Sequence, residues 1–110
     1  MRVRVLGVAA AAMLISAGED VSAMDDTAAN ALLGSGGCNA CHALDHKMLG
    51  PAYQDIASKY RDEPGAIEML VVRVRNGGSG VWGPIPMMPI PPERIGDDDL
   101  KAVLAWILAR

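Results

Sequence analysis

Cys38-Asn39-Ala40-Cys41-His42 decides the reading of this chain. Two thiols at this spacing can each add across a vinyl group of one porphyrin, and the imidazole that follows them then points at the iron. C-x-x-C-H is the attachment signature of a c-type haem. Both cysteines of the chain lie in this stretch, so none is left for a disulfide. Two other chemistries use paired cysteines. A redox dithiol normally sits between a strand and a helix of an α/β domain, and nothing here reads as a βαβ unit; thiol exchange also has no need of His42. A closed structural zinc site wants four ligands, and the only other histidine, His46, is poorly placed as the fourth.

Haem attachment through thiols calls for an oxidising compartment outside the cytosol, and the N-terminus carries a matching address. Arg2 and Arg4 form a positive n-region, Val5 to Ala17 is an apolar run of thirteen residues, and Val21-Ser22-Ala23 offers small residues for cleavage. This three-part pattern is that of a secretory signal peptide. The run is shorter than the roughly twenty residues a transmembrane helix needs. The expected organisation is therefore a cleaved leader over residues 1–23 and one exported domain over 24–110.

That domain is mildly acidic. The chain's formal charge is −3, and losing the leader removes two charges of each sign, so the balance is unchanged. Nucleic acid is excluded as a partner, since it would require a basic stripe. A core of this size is marginal in any protein, and here the chain has no Phe and only two Trp and two Tyr. A buried porphyrin would supply the large apolar body that the side chains lack.

Breakers divide the domain into four helical segments, and the expected fold class is all-α. The first spans Asp26 to Leu33, capped by Asp26 or Thr27 and ended by Gly34-Ser35-Gly36-Gly37. The second runs from Pro51, a residue suited to a first helical turn, to Tyr60. The third opens at Pro64, carries Ile67, Leu70, Val71 and Val74 on one side, and stops at Asn76-Gly77-Gly78. The fourth begins at Asp97-Asp98-Asp99, where acidic residues suit a helix N-terminus. Its apolar positions 100, 103, 104, 107 and 108 repeat with helical spacing.

Ser79 to Gly96 is different in kind. It holds five prolines and three glycines, which rules out a regular helix or an interior strand. Long loops in compact domains are usually functional. This one contains Met87 and Met88, and a thioether is a suitable sixth ligand for haem iron, held by stiff proline-rich backbone. Methionine is also a common filler of irregular gaps, and the loop by itself leaves both roles open.

The stretches CNACHALDHKMLGPAYQDIASKY and RVRNGGSGVWGPIPM, with a closing helix that carries Trp106, resemble the short monohaem class I cytochromes c of bacteria. The similarity covers nearly all of residues 24–110, and the 45-residue spacing from His42 to Met87 is that of the group. The resemblance implies a small fold of about four helices around one haem, with a long proline-rich distal loop. It implies thioethers at Cys38 and Cys41, His42 as proximal iron ligand and Met87 as distal ligand. The Pro51 carbonyl would accept a hydrogen bond from His42, and Arg73 and Trp82 would bond a haem propionate. Met48 is expected beside the porphyrin, Tyr53 and Tyr60 as packing residues, Trp106 at the crossing of the first and last helices, and His46 exposed.

Three positions depart from that pattern. Met87 is followed by Met88-Pro89-Ile90 where the group has Pro-Pro-Asn, so the Asn hydrogen bond to the ligand sulfur is missing and Met88 ranks second as ligand. The segment before the last helix is longer by about three residues, through Pro91-Pro92-Glu93. Leu33 replaces an aromatic residue, which is expected to loosen the helix crossing. With both axial positions filled there is no site for a substrate, and His/Met ligation raises the potential. The function expected is that of a monomeric, non-enzymatic one-electron carrier in respiration. It would meet a donor complex and an oxidase or nitrogen-oxide reductase at the exposed haem edge, through a patch of Met88, Pro89 and Ile90. The competing expectations are a haem sensor or enzyme with a displaceable distal ligand, and a cytochrome subunit of a larger redox enzyme.

Overall fold

Four helices frame the domain in the computed structural model, which describes residues 24–110 together with Gly7 and residues 9–11. The rest of the expected leader lies outside the described residues. In chain order the elements are α1 (Asp26–Ser35), α2 (Tyr53–Tyr60), α3 (Ala66–Asn76), β1 (Gly78–Gly80), β2 (Gly83–Met87) and α4 (Asp97–Leu108).

Each helix starts where a local group satisfies its free N–H groups or turns the chain into it. The Asp25 carboxylate accepts the Ala28 amide at 2.8 Å and caps α1, one residue before the expected cap. Asp26 is engaged elsewhere: it accepts the Trp106 indole N–H at 3.0 Å. α2 begins at Tyr53, so Pro51 lies just ahead of the helix with its carbonyl outside the helical ladder. α3 begins only at Ala66, because Gly65 at φ 73° turns the chain after Pro64. α4 runs from Asp97, as its acidic start indicates.

α4 is the hub, packing against α1, α2 and α3. Leu100, Val103, Leu104 and Ile107 form its buried stripe, the i, i+3, i+4, i+7 pattern of one helical face. At the crossing with α1, Ala29 and Leu33 are both 0% exposed. Leu33 is fully buried where the resemblance has an aromatic residue, and polar bonds add to the crossing nearby. Trp106 is buried and bonded to Asp26, and the Arg110 guanidinium lies 4.1 Å above the indole ring. Arg61, just past α2, donates to the carbonyls of Leu108 and Arg110 at 3.3 and 2.7 Å, which pairs acceptors that a helix end leaves unsatisfied.

The frame is helical as expected, and the Pro-rich segment adds a small ribbon to it. β1 and β2 pair antiparallel with Gly78 opposite Met87 and Gly80 opposite Gly83, with an irregularity between them. A two-stranded ribbon is all edge, so Pro84 and Pro86 are tolerated in β2 despite having no N–H to donate. Gly77 makes the exit from α3 possible. It has φ 63°, and a Cβ there would lie 2.8 Å from the Pro89 nitrogen.

The α1–α4 crossing generates a stability prediction for the haem-loaded protein. Trp106→Ala should lower the unfolding free energy by about 3–5 kcal/mol. Asp26→Ala should cost about 1–2 kcal/mol, the effect of leaving a buried indole N–H unpaired. Guanidinium titrations followed by circular dichroism measure both; equal small losses would mean that the crossing does not rest on this residue.

Candidate haem site

Past α1, the chain turns sharply at Gly37 into a 3-10 turn over Cys38–Ala40. The His42 amide donates to the Cys38 carbonyl at 3.0 Å, and the Gly50 amide to the Cys41 carbonyl at 2.8 Å. The Tyr53 amide donates to the Ala43 carbonyl at 2.8 Å. These bonds dock the C-x-x-C-H segment on the start of α2 from sequence positions that are far from helical.

His42 is fixed in orientation and tautomer. Its Nδ1 lies 2.7 Å from the Pro51 carbonyl oxygen. A carbonyl only accepts, so Nδ1 carries the proton and Nε2 keeps its lone pair for a metal. A carbonyl partner of this kind is the usual outer support of a metal-binding imidazole. Gly50 lies against the ring so closely that a Cβ would come within 2.8 Å of Nδ1. The Tyr53 ring stacks on it as well, 5.6 Å away with planes 23° apart. Tyr53 in turn donates its hydroxyl to Asn39 Oδ1 at 2.9 Å, a link between the motif and α2.

Both thiols are free and half-buried. Burial pushes the Cys38 thiol above its ordinary range, outweighing the lowering effect of the Arg94 charge. Cys38, Cys41 and His42 do not converge as metal ligands: among the described residues no three of His, Cys, Asp and Glu come together that way. The zinc reading has no such cluster to rest on.

A cavity of about 420 Å³ opens beside the motif. Its walls come from α1 (Leu33), α2 (Tyr53, Ile56, Tyr60), α3 (Leu70, Val74), α4 (Leu100, Leu104) and the hairpin (Ile85, Met87). Cys38, Cys41 and His42 line it as well. So do Arg73 and Trp82, neither of which is spoken for: Arg73 forms no ion pair among the described residues, and the Trp82 ring is met edge-on by Tyr60 at 6.4 Å. Lys59 stands 5.8 Å over the same indole. A haem fits this set chemically. The wall is apolar where a porphyrin face would lie, two thiols and a lone-pair nitrogen are at hand, and cationic and N–H donors at the rim suit carboxylates.

The Cytochrome c family model matches residues 27–110. The chain belongs to the cytochrome c family. It is 49% identical over 74 residues to cytochrome c-551 of Pseudomonas aeruginosa, a match covering 67% of this chain and 68% of that one. It is 40% identical over 108 residues to cytochrome c-552 of Nitrosomonas europaea, covering 98% of this chain and 97% of the relative. The crystal structure of Nitrosomonas europaea cytochrome c552 superposes with a TM-score of 0.66 at 42% identity, over 73% of this chain and 96% of that one. The Class 1 cytochrome MtoD of Sideroxydans lithotrophicus ES-1 does so with a TM-score of 0.68 at 28% identity, over 79% and 97%. This is a small class I, monohaem cytochrome with covalently attached haem c, and Cys38 and Cys41 are the only cysteines in the sequence.

Two expectations about this cytochrome need correction. Met48 is 42% exposed and does not line the cavity, although its neighbours Leu49 and Gly50 do. Ile90 is 8% exposed and belongs to the core, so it is not part of a surface patch; Met88, at 73% exposed, is. Sequence reasoning missed Asn39, Gly50 and Arg94. Gly50 had a signal in the Gly-Pro pair beside the motif. Asn39, inside the variable part of C-x-x-C-H, and Arg94, just past the loop extension, had none.

Burial, the leading cause, raises the Tyr53 phenol above its ordinary value, so the folded protein keeps a proton that the unfolded chain releases. The stability from this group is complete below about pH 10 and is lost as pH rises beyond it. In a Tyr60→Phe holoprotein, where Tyr53 is the remaining phenol, ultraviolet titration should show no tyrosinate through about pH 11. A midpoint near pH 10 would contradict the burial argument.

Proposed function

We propose that this electron-carrier cytochrome works as a one-electron shuttle whose iron is closed to substrates, with His42 and Met87 as axial ligands. Bound haem c supplies reversible exchange between ferric and ferrous iron. Cys38 and Cys41 hold it by thioethers, and Arg73 and Trp82 meet its carboxylates at the rim. The observation that carries this reading is the bond from His42 Nδ1 to Pro51: it leaves Nε2 as a donor on the same cavity that Met87 lines.

The chain's own groups explain why such a centre suits transfer rather than catalysis. His42 is clamped by Pro51, Gly50 and Tyr53, so its position changes little with the charge on the metal. Met87 comes from the paired end of β2, opposite Gly78. Two strong, pre-positioned ligands favour the same geometry in both oxidation states, and His/Met ligation raises the potential. An apolar wall raises it further by disfavouring the extra positive charge of the ferric form.

The exposed apolar side chains Leu49, Val81, Ile85 and Met88 lie around the cavity. They suit brief docking of redox partners, a donor complex on one side and a terminal oxidase or reductase on the other, through the small interface typical of such encounters. The N-terminal pattern of Arg2, Arg4 and the apolar run to Ala17 supports export, cleavage after Ala23 and work in the periplasm. No helix among the described residues is long and apolar enough to cross a membrane.

Absorption spectra test the ligand set. The holoprotein should show the sulfur-to-iron charge-transfer band when oxidised and stay indifferent to carbon monoxide when reduced. Met87→Ala should abolish the band, admit carbon monoxide and lower the potential, while Met88→Ala keeps the band. Loss of the band in Met88→Ala alone would overturn the assignment, and carbon monoxide binding by the unaltered protein would favour a sensor or enzyme.

A further inference from the structure

Arg75, in the last turn of α3, reaches across to the connection that follows β2. Its Nη1 donates to the Ile90 carbonyl at 3.1 Å, and its Nη2 to the Ile95 carbonyl at 2.8 Å and to Asp97 Oδ1 at 2.7 Å. The side chain is 17% exposed. Its charge therefore lies between the C-terminus of α3 and the acidic start of α4, a favourable place for a cation on the first count and for its partner on the second.

The same connection is pinned by the backbone. The Ile90 amide donates to the Val74 carbonyl at 3.0 Å, and the side chains of Ile90 and Ile95 are buried in the core. Met87 lies three residues before Ile90, and its other flank is paired with β1 at Gly78. Only Met88 and Pro89 separate the strand pairing from the Arg75 anchor, and Pro89 has little freedom to absorb a shift.

We propose that Arg75 is the positioning residue for the Met87 thioether: by gripping Ile90, Ile95 and Asp97 together it sets where the hairpin returns and holds Met87 at the iron. This rests on Met87 being the sixth ligand. The guanidinium suits the task because its flat fork presents several donors in fixed directions, which an ammonium does not. Without it two carbonyls lose a charged donor, the return segment loosens, and Met87 spends more time off the iron. An outside ligand then binds more tightly in proportion to the fraction of open protein.

Imidazole titration of the ferric holoprotein, read by loss of the sulfur-to-iron band, tests this. Arg75→Leu should bind imidazole about tenfold more tightly than the unaltered protein. Arg75→Lys, which keeps the charge without the fork, should gain about threefold; it carries the test if Arg75→Leu yields no holoprotein. Arg61→Leu removes a comparable two-carbonyl grip at the far end of α4, and should lower stability with imidazole affinity unchanged. Unchanged affinity in the Arg75 variants, or an equal rise in Arg61→Leu, would overturn the positioning role. Met87→Ala separates the two claims. If it retains the band, the ligand assignment fails and this inference with it; if it loses the band while the Arg75 variants behave as unaltered protein, only the positioning role fails.

Discussion

Every helix of this cytochrome sets apolar side chains on one cavity of about 420 Å³, the place its haem would occupy. Trp106 is committed to the α1–α4 crossing, and the other aromatics, Tyr53, Tyr60 and Trp82, stand in the cavity wall without filling it. Without a large apolar group between them, the side chains on these walls would face water, and the burial that holds the helices together would be lost. The haem is therefore structural before it is functional, since the helices that position its ligands need it between them.

The same constraint explains the division of labour around the cavity. One wall is rigid by backbone bonding, with C-x-x-C-H tied to α2 through Gly50, Tyr53 and Pro51. The other is a hairpin with few buried contacts of its own, and it depends on its two ends, Gly77 against Met87 and Pro89, and Arg75 against Ile90 and Ile95. A short proline-rich ribbon suits this task, because it loses little entropy on being held.

The helical frame was legible in the sequence because it is written in apolar spacing and in breakers. Positions 100, 103, 104 and 107 gave α4, and Asn76-Gly77-Gly78 gave the end of α3. Helix starts were read less well. Pro51 looks like a first helical residue, but its carbonyl is used by His42, and the helix begins two residues later. The motif gave the attachment residues, while Arg73 and Trp82 came from resemblance and lie on the cavity. What stayed hidden depends on contacts between distant parts of the chain. Ile90 reads as loop surface until Val74 and Arg75 are seen to bind its backbone. Asp26 reads as a helix cap until Trp106, 80 residues away, takes it.

The dependence of the fold on its cofactor is open to one direct measurement. A Cys38→Ala/Cys41→Ala chain prepared free of haem should show far-ultraviolet dichroism well below that of the holoprotein and no cooperative unfolding in guanidinium. Helical content equal to the holoprotein's, with a sharp transition at a similar midpoint, would show that the chain closes its core unaided and would contradict this account.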